Sequence, residues 1–227
     1  MKVCIDSADV NEIRRLYDLY PIDGVSTNPT ILSRTKREPF EVLKEIRSII
    51  GDDKELFVQV VAMDAEGMVR DAKRIIAELG ENTIIKIPCI PEGYKAMKKL
   101  NELGIRMLGT AVYTTMQGFM AAKCGCEYIA PYVNRIEKMG LDGIGMAKEI
   151  HDSIKNSGYE YSGLLAASFK RVDQVVPLAE YGVKGVTLSP DLFDAMFNIE
   201  EVNSAVDKFV EDFEGLTSKG TTMESCR

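Results

Sequence analysis

Eight short apolar runs, each followed by a stretch of helical periodicity, recur along the 227 residues of this chain. They cover Lys2 to Asp6, Gly24 to Thr27, Leu56 to Val61, Thr83 to Pro88, Arg106 to Val112, Tyr128 to Val133, Gly163 to Ser168 and Gly185 to Leu188. Nearly continuous apolar character suits parallel strands covered on both faces, and each gap is long enough for a crossover helix. Eight such units make either a closed barrel or an open doubly wound sheet. The open sheet usually carries a glycine-rich phosphate loop after its first strand, and here Asp6-Ser-Ala-Asp9 stands in that place. The pattern therefore predicts a single parallel (β/α)8 barrel, a TIM barrel, whose chemistry gathers at the C-terminal ends of the strands.

The helices carry their own start and stop signals. Asp9-Val-Asn-Glu12 reads as a capping box, and glycines 51, 80, 104, 125 and 182 fall where helices end. Phe40, Leu43, Ile46 and Ile50 repeat at helical spacing as one apolar stripe. A further amphipathic helix at about 199–216, with Val202, Ala205, Phe209, Phe213 and Leu216 on one side, has no strand left to follow. It closes the bottom of its own barrel or lies on a neighbouring subunit. The expected domain is 1–216, with 217–227 a disordered tail.

Composition narrows the function. A net charge of −7 with interleaved acids and bases argues against nucleic acid as a partner. No apolar stretch is long enough to span a membrane and no signal-peptide pattern opens the chain, so a cytoplasmic protein is expected. Five cysteines without framework spacing suit a reducing compartment, and Cys124 and Cys126 read as packing rather than as metal ligands. The one histidine, His151, reads as a solvated helix residue. A zinc-dependent aldol cleavage, which usually needs several imidazoles, is thereby disfavoured. No metal or cofactor is expected.

The strand ends bring polar residues to one mouth: Asp6, Thr27 with Asn28, Gln59, Lys86, Thr110, Tyr132 through Arg135, and Ser168. Lys86, between apolar neighbours in Ile84-Ile-Lys-Ile-Pro88, stands out because burying an ammonium is costly. Two readings of it stand: a lysine snorkelling to water or paired with Asp6, and a nucleophilic amine. The second needs the neutral form, and lowering a lysine pKa by roughly three units takes about 4 kcal/mol, which an apolar barrel interior can supply. Asp6 is a candidate acid or base, or a helix cap. Asn28, before Pro29, is a site residue or a turn residue. Gln59 in a strand interior needs hydrogen-bond partners, which Thr110 and Tyr132 are expected to provide in a network that is structural or catalytic. Ser168 in Ala166-Ala-Ser-Phe-Lys170 and Arg135 are candidate phosphate ligands, with a surface ion pair as the alternative for the arginine.

Five motifs in order, Thr27-Asn-Pro-Thr30, Ile85-Lys-Ile-Pro88, Leu108-Gly-Thr-Ala-Val-Tyr113, Ala130-Pro-Tyr-Val-Asn-Arg135 and Ala166-Ala-Ser-Phe-Lys170, resemble the small transaldolase and fructose-6-phosphate aldolase family. The resemblance runs from residue 1 to about 215. It implies Lys86 as the Schiff-base lysine, Asp6 and Asn28 as partners of the dihydroxyacetone hydroxyls, and Arg135 with Ser168 as phosphate ligands. Gln59, Thr110 and Tyr132 match the residues that hold a proton-carrying water in the aldolase branch; transaldolases resembling this chain have glutamate and phenylalanine in place of Gln59 and Tyr132. The resemblance thus implies reversible cleavage of fructose 6-phosphate, and a homo-oligomer, pentamer or decamer, with the last helix reaching a neighbour. Ile90, where threonine is common, and Thr187-Leu-Ser-Pro190, where Thr-Leu-Pro is usual, depart from the pattern. The alternatives are a transaldolase of the pentose phosphate pathway, a deoxyribose phosphate aldolase and a non-catalytic ring protein that binds sugar phosphates.

Overall fold

In the computed structural model, which describes residues 1–226, eight parallel strands close on themselves in sequence order. They are β1 (Lys2–Asp6), β2 (Gly24–Ser26), β3 (Glu55–Gln59), β4 (Thr83–Pro88), β5 (Met107–Val112), β6 (Tyr128–Pro131), β7 (Gly163–Ala166) and β8 (Gly185–Leu188). The expected (β/α)8 barrel is present. Between and after the strands lie α1 (Val10–Leu19), α2 (Pro29–Arg34), α3 (Pro39–Ile50), α4 (Ala65–Leu79), α5 (Pro91–Glu102), α6 (Thr115–Lys123), α7 (Val133–Lys138), α8 (Gly143–Asn156), α9 (Val176–Tyr181), α10 (Pro190–Phe197) and α11 (Glu200–Leu216).

Several boundaries differ from the sequence reading. β2, β3, β6 and β7 stop one to two residues earlier, and Tyr132 to Lys138 is not strand: Tyr132 caps α7. The Val60 amide still donates to the Lys86 carbonyl across to β4, and apolar character runs on into Val61, so hydropathy overruns the strand. Asp9 caps α1 by accepting from the Asn11 and Glu12 amides, but Glu12 pairs with Arg15, so the capping box is one-sided. Glycines 51, 80, 104, 125 and 182 all have positive φ at or just after helix ends; Gly182 is the expected left-handed termination, whereas Gly51 and Gly80 are extended in ψ, at 177° and 166°. His151 is half-buried with its ring edge-on to Tyr181, rather than solvated.

The chain divides into two units, Met1–Leu192 and one beginning at Phe193, with the division inside α10, where the sequence suggests one domain through 216. In the second unit α11 exposes Val202, Val206, Phe209, Val210 and Leu216. Where the sequence suggests a disordered tail after Thr217, the structure places turns, with the Gly220 amide donating to Glu214 and Ser218 bonded to Thr221.

Inside the barrel, alternate residues of the strands form one apolar cluster of Cys4, Phe57, Ile84, Leu108, Tyr128, Ala130, Leu165 and Ala167. Because side chains alternate across a strand, the same face carries Lys2 and Glu55 toward the N-terminal end and Asp6, Gln59, Lys86 and Thr110 toward the C-terminal end. The N-terminal end is closed by a charged plug. Glu55 is buried and accepts from Lys2 Nζ at 2.7 Å, from Tyr128 Oη at 3.0 Å and from Arg106. Arg106 also donates to Glu127 and to Asn82. A buried carboxylate is tolerable only when its oxygens are satisfied in this way.

Removing the Glu55 carboxylate leaves Lys2 without its only carboxylate partner among the described residues and Arg106 with one fewer. Glu55→Ala is expected to lower stability by about 3 kcal/mol, measured as a shift of the urea midpoint at unchanged m-value. A loss of a few tenths would mean that water satisfies the plug.

Candidate active site

β4 delivers Lys86 to the barrel interior because Ile84 and Lys86 share its inward face. Lys86 is only 5% exposed. Its Nζ donates to Ser26 Oγ at 2.9 Å and to the Thr27 carbonyl at 2.7 Å. Ser26, on β2 and in register with Asp6 of β1, also acts on the Asp6 carboxylate through its hydroxyl. Lysine and aspartate are therefore joined through a hydroxyl, Lys86–Ser26–Asp6, and not by a direct salt bridge. Burial pushes the Lys86 pKa below the ordinary lysine value, with the Asp6 charge opposing it. Burial likewise raises the Asp6 carboxyl, against the pull of Lys86 and of the Ser26 hydrogen bond. Each group thus moves toward the protonation state that moves a proton: a free amine and a carboxyl able to take one up.

Beside β4, on β5 and just past the end of β6, Thr110 Oγ1 and Tyr132 Oη are 2.8 Å apart. β5 is irregular here: its register against β6 shifts between Gly109 and Val112, and Ala111 has φ of 55°. Such a bulge re-aims the adjacent side chain, and a left-handed alanine is strained, costing about 1–2 kcal/mol. Burial raises the Tyr132 phenol, and the Thr110 bond lowers it. Arg135, one turn into α7, lies 4.8 Å from the Tyr132 ring centroid and donates to Tyr113 Oη at 3.4 Å. It makes no salt bridge among the described residues, so the surface ion pair does not account for it. Gln59 pairs in register with Lys86 on the inward face of β3, yet among the described residues it bonds neither Thr110 nor Tyr132; at the strand's end it borders a recess between α2, α3 and α4.

Thr27 stands differently from its neighbours. Its hydroxyl donates to the Phe57 carbonyl and its carbonyl accepts from Lys86, so it positions the lysine by its backbone while its side chain does not reach the mouth. Asn28 has both fates the sequence left open: Oδ1 caps α2 through the Ile31 amide at 3.0 Å, and the residue lines the mouth. Ser168 follows β7 with φ of 63°. Its loop is held by buried Gln174, whose Oε1 accepts from the Lys170 and Arg171 amides and whose Nε2 donates to Glu137 and Asn134.

These residues enclose a cavity of about 280 Å³ lined by Asp6, Asn28, Lys86, Tyr132, Arg135 and Ser168. Arg34, Lys138 and Lys170 line it too. Five cationic side chains thus face one carboxylate in a chain whose net charge is −7. Among the described residues none of Arg34, Lys138 and Lys170 pairs with an acid. The local field favours an anionic ligand. The sequence reading missed Arg34, Lys138 and Ser26. The signal for the first two was a basic residue closing each short helix directly after a strand; for Ser26 it was an inward parity shared with Asn28.

The family model described as Transaldolase/Fructose-6-phosphate aldolase matches residues 3–226. The chain belongs to that family. Its members are Schiff-base aldolases or transaldolases acting on sugar phosphates, and this chain is an enzyme of that type. Among the described residues no helix is long and apolar enough to cross a membrane.

For an enzyme of this family the titration of Lys86 is the telling property. Its folded pKa lies below the usual value of about 10.4, so the amine becomes free at a lower pH than in an unfolded chain. NMR titration of the lysine ¹³Cε resonance should show Lys86 titrating below the other lysines, and Asp6→Asn, which removes the charge holding it up, should lower it further. A Lys86 that titrates with the surface lysines would contradict this account of the site.

Proposed function

We propose that the enzyme reversibly cleaves fructose 6-phosphate to dihydroxyacetone and glyceraldehyde 3-phosphate through a Schiff base on Lys86. The observation that carries this reading is the Lys86–Ser26–Asp6 chain at the foot of a cation-lined cavity. The free amine of Lys86 adds to the C2 carbonyl and water leaves, giving an iminium. Asp6 and Asn28 hold the hydroxyls of the dihydroxyacetone portion, and Arg135 with Ser168 receives the phosphate. A water held by Gln59, Thr110 and Tyr132 takes the proton from the C4 hydroxyl. The C3–C4 bond then breaks, its electron pair passes into the iminium, and glyceraldehyde 3-phosphate departs. The enamine left on Lys86 is protonated at C3 by the same water and hydrolysed, restoring the amine.

The choice of cleavage over transfer rests on Tyr132. Its hydroxyl, oriented by Thr110, can help the water protonate the enamine and so release dihydroxyacetone rather than hold it for an acceptor aldehyde. Purified protein given fructose 6-phosphate alone should release glyceraldehyde 3-phosphate in a coupled dehydrogenase assay, and Lys86→Met should release none. Product that forms only when erythrose 4-phosphate is supplied would make the enzyme a transaldolase; no product under either condition would overturn the choice of substrate.

A further inference from the structure

Thr187 lies on β8 opposite Cys4 of β1, and Cys4 belongs to the internal cluster, so the threonine faces inward. It is 3% exposed and lines the mouth cavity. Among the described residues its Oγ1 is the one buried side-chain nitrogen or oxygen without a hydrogen-bond partner. The other polar groups around it are engaged: Lys86 with Ser26 and Thr27, Ser26 with Asp6, and Thr110 with Tyr132. Leaving a buried hydroxyl without a partner is unfavourable, and native interiors rarely do so without a reason such as a ligand.

The chemistry of that ligand follows from the place. A threonine hydroxyl both donates and accepts, which matches the hydroxyl of a polyol. The cations suited to a phosphate stand beyond the strand ends, Arg34 on α2 and Arg135 and Lys138 on α7. Thr187 lies within its strand, on the same inward side as Asp6 of the adjacent β1. We propose that Thr187 is a further donor-binding residue, whose hydroxyl bonds a hydroxyl of the dihydroxyacetone portion held on Lys86. The proposal rests on the Schiff-base reading above.

Borohydride trapping of ketones on Lys86, followed by mass spectrometry over a range of ketone concentration, separates the possibilities. Thr187→Val, which matches the side chain in shape, should raise the half-saturating concentration of dihydroxyacetone about tenfold and leave that of acetone, which has no hydroxyls, unchanged. Thr187→Ser should restore the wild-type value. A shift shared by both ketones, or no shift, would assign Thr187 a merely structural role. If no ketone is trapped on Lys86, the Schiff-base reading fails on its own account. The comparison then passes to the Lys86→Met protein, where weaker dihydroxyacetone binding by ligand-observed NMR on adding Thr187→Val supports the assignment and equal binding overturns it.

Discussion

The burial of one ammonium group governs the architecture of this enzyme's mouth. Lys86 sits on the inward face of a closed barrel, where desolvation disfavours its charge and, among the described residues, only a serine hydroxyl and a backbone carbonyl accept its hydrogen bonds. A direct ion pair with Asp6 would fix the charge in place. The intervening Ser26 instead leaves the two groups coupled through a hydroxyl. The closed barrel makes this possible: β1, β2 and β4 bring Asp6, Ser26 and Lys86 to one level from residues far apart in the chain. The charged plug around Glu55 at the other end leaves the interior between them apolar.

The same region holds local strain. Ala111 and Ser168 have left-handed backbones, at the bulge beside Thr110 and at the loop after β7. Each such residue costs on the order of 1–3 kcal/mol and persists only where its surroundings impose it. For Ser168 the imposing group is Gln174, which is fully buried and ties the loop to Asn134 and Glu137. Rigidity is thus spent on the strand beside the lysine and on the loop after β7.

Much of the fold was legible because parallel strands in a barrel are buried on both faces, and their unbroken apolar runs stand out from the helices. The ends of the strands were less so. Val61 continues the apolar run after the ladder has stopped, and Tyr132 leaves β6 as a helix cap. Lys86 was legible because a charge between isoleucines is expensive. Ser26 was not, since a serine in a short strand carries no such signature until its partner across the barrel is known. Arg34 and Lys138 read as ordinary helix-end cations, and only the closure of the ring shows that they face one cavity. Thr27 illustrates the converse: its position at a strand end pointed to the mouth, while the local backbone turns its hydroxyl to the Phe57 carbonyl.

The chemistry of this mouth turns on Lys86 itself carrying the substrate. Incubating the enzyme with dihydroxyacetone and sodium borohydride, then mapping the adduct by peptide mass spectrometry, addresses it directly. A single covalent addition at Lys86 with loss of activity is the predicted result. An adduct at another lysine, or activity that survives full modification of Lys86, would contradict the account.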